Sequence, residues 1–381
     1  MPTRLLAGRE ELEDFVRGCV FFGTGGGGNP DEGLRLLQAE VDAGRKVGWV
    51  DVDEIPDDAW SVRISRTGTT APPTPDMVAE KERLGLGPAD LDQLRSIQEL
   101  SLYTGREIRV IVPPELGAGN SSAALATAAR GGLLAVDGDY VGRAIPEIAM
   151  TTPCLAGKPI WPLASVDRWG NCCIIKHTLS YELAERFARH MAMASFGNTG
   201  LAGFLLQARE MKQIVVRNTM SQCLELGRTI REARRNRKDP VEAAVRFVDG
   251  WLLFDGVVVR KTGENRGGFY WGEHLIEGRG AFAGHTMRVW FKNECLLSWK
   301  DGAPYVTAPD LIVLMERENG EPRTNNQVEE GLEIAVVGVR AREPYRTKAG
   351  VEILGPRHFG FDLDYVPIEQ LVGRQPNQSV R

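Results

Sequence analysis

The hydrophobic positions in the first half of the chain alternate between helical and extended spacing. Leu12, Phe15 and Cys19 recur at the three- and four-residue intervals that place side chains on one face of a helix. Further along, the pattern predicts strands at 47–52, 61–65, 109–113 and 133–136, and helices over 77–104 and 122–130. Alternation of this kind is typical of an α/β layer, in which ligands gather at the ends of the strands.

The second half begins with two helical segments, at 181–194 and near 218–237, and then changes to period-two alternation. Met287, Val289 and Phe291 are separated by single residues, as on one face of a strand. Further strands are predicted at 332–339 and 351–354, and hairpin turns at Asp255-Gly256 and Asp301-Gly302. We therefore predict an α/β domain over 1–168, a mostly β domain over 169–372, and a disordered tail at 373–381.

Composition narrows the class of protein. The 381 residues include 46 Lys and Arg against 51 Asp and Glu, a net charge of -5, which argues against a nucleic-acid groove with its basic excess. The six cysteines form no Cys-x-x-Cys pair, so neither a secreted disulfide framework nor chelation by adjacent thiols is expected. No apolar segment reaches the roughly 18 residues of a membrane span, and the first residues do not resemble a signal peptide. We expect a cytoplasmic protein that binds a small molecule. Whether it forms a homo-oligomer is left open.

The most distinctive local feature is the glycine-rich turn at 23–28. After it, Asn29 is suited to a helix N-cap, Pro30 to the first helical position and Glu32 to a capping box. The turn therefore leads into a helix N-terminus, whose free N–H groups bind anions or carbonyl oxygens. Its spacing is not that of a dinucleotide-binding fingerprint, and it lacks a P-loop lysine. A tight structural turn would need fewer glycines, and the residues predicted to contact a ligand are Thr24, Gly25, Gly26 and Gly27.

A second glycine-containing turn, at 115–122, follows the predicted strand at 109–113 and opens an alanine-rich helix. Asn120 or Ser121 is expected to be the N-cap of that helix. An acid and an amide side chain, Glu115 and Asn120, would then lie at the carboxyl end of a strand. We predict that Glu115, Asn120 and Ser121 bind the substrate, and a capped helix with a solvated Glu115 is the alternative.

Charged residues are concentrated in a third turn-rich segment, at 137–147. Its carboxylates and Arg143 could supply a general base, a metal ligand and an anion clamp. Asp139, Glu147 and Arg143 are accordingly the predicted catalytic residues. Arg143 could equally neutralise the two carboxylates in a structural ion-pair network, and the sequence does not choose between these interpretations.

Polar residues also interrupt the predicted sheet of the second half. Asn293 and Glu294 directly follow the apolar alternation, at a place where polar side chains are costly without partners. Asp310 precedes the apolar run at 311–315. Because small-molecule sites favour domain interfaces, we predict that these three residues complete a substrate-binding cleft between the two domains.

Several of these motifs occur together and in a fixed order. They are GTGGGGNPD at 23–31, ELGAGNS at 115–121, DGDYVGRAIPE at 137–147, NE at 293–294, PDL at 309–311 and GPRHFGFDLDY at 355–365. In this order they resemble the DUF917 family, now named for S-methyl thiohydantoin desulfurase and loosely grouped with hydantoinase and oxoprolinase proteins. The resemblance implies an α/β N-terminal domain, a β-rich C-terminal domain, and a hydrolase that attacks a hydantoin-type ring and releases a thiol.

The resemblance also implies Zn²⁺, since a borderline-soft metal helps a thiolate to leave. The candidate ligands are Cys154, Asp139 and His177, although Cys154 could equally be a small buried core residue. Two other interpretations stay open: an ATP-dependent ring-opening enzyme of the oxoprolinase type, and a small-molecule sensor without catalysis. The missing P-loop lysine counts against the first. The carboxylates at 115, 139 and 147 favour an enzyme over the second.

Overall fold

The computed structural model describes residues 2–68 and 74–372. In these residues the helices are α1 (Gly8–Phe22), α2 (Pro30–Asp42), α3 (Pro75–Arg83), α4 (Gln93–Thr104), α5 (Ala118–Gly131), α6 (Thr152–Leu155), α7 (Tyr181–Ala194), α8 (Ala208–Met211), α9 (Thr219–Arg235), α10 (Pro240–Phe247), α11 (Glu343–Arg346), α12 (Lys348–Leu354) and α13 (Ile368–Leu371). The strands are β1 (Arg4–Leu5), β2 (Gly48–Trp49), β3 (Trp60–Gly68), β4 (Ile108–Val112), β5 (Leu134–Ala135), β6 (Gly138–Asp139), β7 (Leu163–Asp167), β8 (Cys172–Ile175), β9 (Asn198–Gln207), β10 (Val216–Arg217), β11 (Trp251–Arg266), β12 (Phe269–Gly278), β13 (Thr286–Lys292), β14 (Glu294–Lys300), β15 (Ala303–Thr307), β16 (Leu311–Glu316) and β17 (Glu333–Val339). The tail predicted at 373–381 lies outside the described residues.

The first half is built around a six-stranded mixed sheet with the strand order β5-β4-β3-β9-β7-β8. Strands β3, β4 and β5 are parallel, whereas β9 is antiparallel to both of its neighbours. β9 follows α7 in the chain and yet lies between β3 and β7. The domain boundary predicted after residue 168 falls between β7 and β8, which pair with each other, so the sheet continues past that point.

Helices cover both faces of this sheet. On one face, the core around α1, α2, α4 and α5 includes Phe15, Leu37, Val62, Ile64 and Ile97. On the other face, the core beneath α7 includes Val110, Val112, Ala184, Ala188 and Phe204. Because side chains alternate along a strand, the β3 residues on either side of Val62 and Ile64 point to this second face. These residues, Ser61, Arg63 and Ser65, are polar but buried.

Helices α1 and α9 cross with their backbones in contact. A Cβ atom at Gly18 would overlap the Cys223 carbonyl. One at Gly227 would overlap the Asp14 carbonyl. The missing side chains therefore permit the close crossing, and the buried Asp14 carboxylate beside it is paired with Arg231 at 2.8 Å.

The second half contains a seven-stranded antiparallel sheet with the order β15-β14-β13-β12-β11-β17-β16. Its own core includes Phe254, Ile276, Val289, Leu314 and Val336, whereas Val313 and Val337 belong to the core around α1. The predicted fold class, an α/β N-terminal region followed by a mostly β region, is confirmed. No helix within residues 2–68 and 74–372 is long and apolar enough to cross a membrane.

The two predicted hairpin turns have different outcomes. The turn at Asp255-Gly256 is wrong, because β11 continues through both residues. Gly256 instead allows β11 and β12 to approach closely, since a Cβ atom at this position would overlap the Glu277 carbonyl on β12. The chain reverses at Gly267-Gly268, where both residues have positive φ. The turn at Asp301-Gly302 is confirmed and joins β14 to β15.

The strand predicted at 351–354 is wrong, because those residues belong to α12. The Thr347 hydroxyl accepts a hydrogen bond from the Gly350 N–H at 3.1 Å and so caps this helix. The long helix predicted at 77–104 is divided into α3 and α4. The Gly-Leu-Gly-Pro sequence at 85–88 lies between them and explains the break.

Candidate active site

The two glycine-rich turns lie against each other. The Gly27 carbonyl accepts hydrogen bonds from the N–H groups of Gly119 at 3.0 Å and Asn120 at 3.2 Å. A Cβ atom at Gly27 would come within 2.5 Å of the Gly117 Cα, so the contact requires glycine. Gly117 is the N-cap of α5, and the predicted caps, Asn120 and Ser121, are wrong. The first turn thus presents a carbonyl oxygen to the N-terminus of α5.

The other side of the first turn contacts the second half of the chain. The Gly25 carbonyl accepts a hydrogen bond from the Asn325 N–H at 2.7 Å. A Cβ atom at Gly26 would overlap the Oε1 atom of Glu294. Residues more than 260 positions apart therefore meet at this turn.

The helix that follows the turn begins as predicted. The Asn29 Oδ1 atom accepts hydrogen bonds from the N–H groups of Asp31 at 2.8 Å and Glu32 at 3.2 Å, with Pro30 at the first helical position. The predicted capping box is wrong, because the Glu32 carboxylate pairs with Arg66 on β3 instead. This ion pair links α2 to the first sheet.

Glu115 lies at the carboxyl end of β4 and is only 7% exposed. Its carboxylate accepts hydrogen bonds from the Asn120 side-chain amide and from the Ile145 N–H, the latter at 2.7 Å. The Ser121 hydroxyl donates to the Glu115 carbonyl at 3.1 Å. Burial raises the pKa of Glu115 to about 7, although Ile145, Arg63 and Asn120 oppose the shift. The alternative of a solvated Glu115 is therefore wrong.

Glu294 begins β14, and its side chain is more deeply buried, at 2% exposure. Its Oε2 atom has no hydrogen-bond partner among the described residues. Burial and the nearby Glu115 charge raise the pKa of Glu294 well above its ordinary value, against the effect of Arg143. Two neighbouring buried carboxyl groups whose pKa values are raised retain a proton near neutral pH.

Arg143 is buried at the junction of the two halves. Its guanidinium donates to the carbonyls of Ala144 at 3.0 Å, Pro309 at 3.0 Å, Asp310 at 3.1 Å and Cys295 at 3.1 Å, and to the Thr24 hydroxyl at 3.0 Å. The Thr24 carbonyl in turn accepts from the Cys295 N–H at 2.6 Å. These contacts fix the backbone of the junction, and a catalytic role for Arg143 stays a prediction.

Asp139 is fully buried in a tight turn. Its Oδ1 atom accepts hydrogen bonds from the N–H groups of Val141 at 2.6 Å and Gly142 at 2.7 Å. Burial raises the pKa of Asp139 to about 6, although these backbone N–H groups oppose the shift. The catalytic role of Asp139 stays a prediction.

Glu147 contacts a different set of residues. Its carboxylate pairs with the Lys292 ammonium and with His358 Nε2, the latter at 3.0 Å. Although burial acts in the opposite direction, these two partners hold the pKa of Glu147 at about 2. Among the described residues neither Glu147 nor Asp139 pairs with Arg143, so the alternative of an ion-pair network around that arginine is wrong.

Asn325 is a residue of the site that the sequence did not reveal. Its side chain donates to the Asn293 carbonyl at 2.7 Å, and its Oδ1 atom lies 2.9 Å from His274 Nε2 and 3.3 Å from Cys295 Sγ. Burial lowers the pKa of His274 to about 4, so its ring is neutral near pH 7. Asn325 thereby holds the chain on both sides of Glu294, and no motif in the sequence marks it.

The two other polar residues predicted in the second half have structural partners. Asn293 has a positive φ of 60°, and its Oδ1 atom accepts from the Tyr270 N–H at 2.8 Å. Asp310 accepts from the N–H groups of Ala341 at 2.7 Å and Ile368 at 2.9 Å. Their substrate contacts stay predictions.

The proposed zinc ligands are held in separate surroundings. Cys154 Sγ lies 3.3 Å from the Thr151 hydroxyl, and burial raises the pKa of this thiol to about 12. The His177 ring packs on Trp161 with centroids 5.3 Å apart. Within residues 2–68 and 74–372, no group of three or more His, Cys, Asp or Glu side chains is placed to hold a metal ion. These residues do not fit a zinc centre, and zinc dependence stays a prediction.

A cavity of about 480 Å³ is lined in part by Phe22, the residue directly before the first glycine-rich turn. Its lining includes Gly142, Gln222, Leu311 and Arg342. No side chain that the sequence predicts to belong to the site lines this cavity. The buried carboxyl groups of Glu115 and Glu294 are not part of the lining of this cavity.

Comparison with known proteins identifies the chain. Models of the S-Me-THD-like N-terminal domain and the S-Me-THD-like C-terminal domain match residues 10–177 and 179–368. An X-ray crystal structure of a protein from Chromobacterium violaceum is similar, with 25% sequence identity and a TM-score of 0.76, over 95% of this chain and 99% of that one. A search of curated proteins gives no significant match.

Proposed function

The chain belongs to the S-Me-THD-like family, and from this membership we propose that it is a hydrolase of a small five-membered ring of the S-methyl thiohydantoin type. The structural observation that carries the proposal is the buried pair Glu115 and Glu294 beside two glycine-rich turns. Gly26 and Asn120, which contact these carboxyl groups, are both partly exposed and would admit a ring from solvent.

The carboxyl pair suits acid–base catalysis because it holds a proton near neutral pH. In the proposed reaction, ionised Glu115 accepts a proton from water as the water oxygen bonds to the ring carbon, and the carbon–nitrogen π pair moves onto the ring nitrogen. That pair then re-forms the double bond as the carbon–sulfur bond breaks, and protonated Glu294 donates its proton to the departing methanethiolate. The hydroxyl proton moves to the ring nitrogen to give the hydantoin, and a proton returns from Glu115 to Glu294 through solvent before the next turnover.

The surrounding residues would position the two carboxyl groups. Asn120 and the Ile145 N–H fix both oxygens of Glu115. Asn325 holds the neighbours of Glu294 through the Asn293 carbonyl and the Cys295 thiol. No step of this scheme is assigned to zinc, because the described donor set does not fit it.

The test is a mass-spectrometric screen of S-methyl thiohydantoins, hydantoins and related lactams, run with and without added Zn²⁺. We expect thiol release by the unmodified protein and a loss of about 10²- to 10⁴-fold in Glu115→Gln and Glu294→Gln. Glu264→Gln, on an exposed hairpin, is the matched control. No turnover of any ring, or full activity in both variants, would refute the proposal. Phosphate release from added ATP would point to the oxoprolinase-type reaction instead.

A further inference from the structure

Arg63 is a buried cation that the proposed reaction does not use. It lies in the middle of β3, on the face covered by α7, and only 6% of it is exposed. The sequence around it alternates, with Ser61, Arg63, Ser65 and Thr67 on one face and Val62, Ile64 and Arg66 on the other. All four residues of the polar face are buried.

The Arg63 guanidinium has few partners in the protein. Its Nη1 atom donates to the Ser65 hydroxyl at 2.9 Å. Its Nε atom has no hydrogen-bond partner among the described residues, and no carboxylate in that part of the chain forms an ion pair with it. A guanidinium offers five N–H donors, and burying one without partners is costly.

The charged groups that face Arg63 are already engaged elsewhere. Glu115 accepts from Asn120 and Ile145, as described above. Glu185 pairs with Arg189 at 2.6 Å and accepts from the Ile148 N–H at 3.0 Å. The Cys154 group is a neutral thiol, because burial raises its pKa. The attraction of these groups does not offset the effect of burial, which lowers the pKa of Arg63.

Further hydroxyl groups continue the polar face across the sheet. Thr67 of β3 pairs in register with Thr199 of β9. The Ser165 hydroxyl of β7 donates to the Thr199 hydroxyl at 2.9 Å. A row of buried hydroxyl groups thus leads away from Arg63 beneath α7.

We propose that Arg63 is an anion-binding residue, which receives the carboxylate of a small molecule on its unpartnered guanidinium edge with Ser65 beside it. The carboxylate belongs either to the ring substrate or to a separate small anion. The first case rests on the function proposed above, because Glu115 is among the charged groups nearest to Arg63. A carboxylate matches the planar fork of an arginine and is bound by two parallel hydrogen bonds.

The experiment measures the melting temperature of the full chain at constant ionic strength. The probes are acetate, hydantoin-5-acetic acid and the neutral 5-methylhydantoin. We expect a concentration-dependent rise with hydantoin-5-acetic acid and none with 5-methylhydantoin. A rise with acetate as well identifies a site for free anions, whereas a rise with the ring acid alone identifies a site for the substrate carboxylate.

Two variants connect the response to Arg63. Arg63→Met should abolish the rise, and Arg63→Lys should weaken the apparent affinity at least 5-fold, since lysine lacks the planar fork. Arg66→Met is the matched control: it lies on the same strand, faces the other way and is paired with Glu32, so its response should equal that of the unmodified protein.

Two results would overturn the proposal. One is the absence of a rise with either carboxylate in the unmodified protein. The other is an undiminished rise in both Arg63→Met and Arg63→Lys. Because the readout is binding rather than turnover, an inactive protein that still responds refutes the proposed function alone.

Discussion

Arg143 and Arg63 are buried to nearly the same depth, at 2% and 6% exposure, but their surroundings differ. Among the described residues, Arg143 makes five hydrogen bonds, four of them to backbone carbonyls from both halves of the chain. Within the same residues, Arg63 makes one hydrogen bond, to the Ser65 hydroxyl. The comparison teaches that the burial of an arginine side chain does not reveal its role. The number of its N–H donors that lack a hydrogen-bond partner is the more informative quantity.

The largest loss of stability is expected on substitution of Arg143, whose guanidinium is fully engaged in hydrogen bonds to the two halves of the chain. Arg143→Met would leave several buried carbonyl oxygens without donors, so we expect a loss of at least about 3 kcal/mol in the free energy of unfolding. Urea denaturation followed by circular dichroism measures it. Arg63→Met is the comparison variant, and its change should stay within about 1 kcal/mol, because it removes a buried charge that has no ionic partner. Equal losses in both variants would contradict the distinction between the two arginines.

A second prediction concerns the buried carboxyl group of Glu115, on which Arg63 acts electrostatically. Glu115 has a pKa of about 7 in the folded protein and an ordinary value of 4.5 in the unfolded chain. Between these pH values the folded protein holds a proton that the unfolded chain has lost. The free energy of unfolding therefore falls as the pH rises through this window, by up to about 1.4 kcal/mol per pH unit from this group.

Glu115→Gln removes this contribution. Urea denaturation between pH 4.5 and 7.5 should give a flatter profile for the variant than for the unmodified protein. Glu264→Gln, whose carboxylate is exposed, should keep the original slope. If Glu115→Gln and the unmodified protein had the same slope, the raised pKa of Glu115 would be incorrect.

The smallest of the three effects is expected at the first glycine-rich turn. Gly26→Ala would place a Cβ atom against Glu294 Oε1 and displace the turn or the carboxyl group. We expect a loss of about 1–3 kcal/mol in stability. Gly87→Ala is the control, because a Cβ atom there meets no other atom, and its change should stay within about 0.5 kcal/mol. Equal stability of the two variants would show that the turn has room for a side chain.

Local structure was largely predictable from the sequence. Periodicity alone located α7 at its observed bounds, and the Asn29 cap located the start of α2. One error arose where a tertiary contact overrides a local signal, because Gly256 looks like a turn residue but is required by the close approach of the neighbouring strand. The other was a missed local signal, since residues 351–354 are helical and Thr347 caps their helix.

The site was predictable only in part. The motifs and the polar interruption at β14 pointed to Glu115 and Glu294, because buried acids stand out against an apolar pattern. Arg63 was missed because its strand was identified from its apolar residues. The alternating polar residues form one face of that strand, and the sequence does not indicate that this face is buried. The pairing of Glu147 with Lys292 and His358 joins three distant segments, and such contacts have no local signal.

The position of β9 has a consequence for the order in which the protein can be made. A nascent chain that has emerged only as far as β8 contains β3 and β7 but not the strand that separates them. Until residues 198–207 leave the ribosome, both strands present unpaired backbone edges, which attract other chains. The sheet of the first half therefore becomes complete only after β9, which lies just past the midpoint of the chain, has been translated.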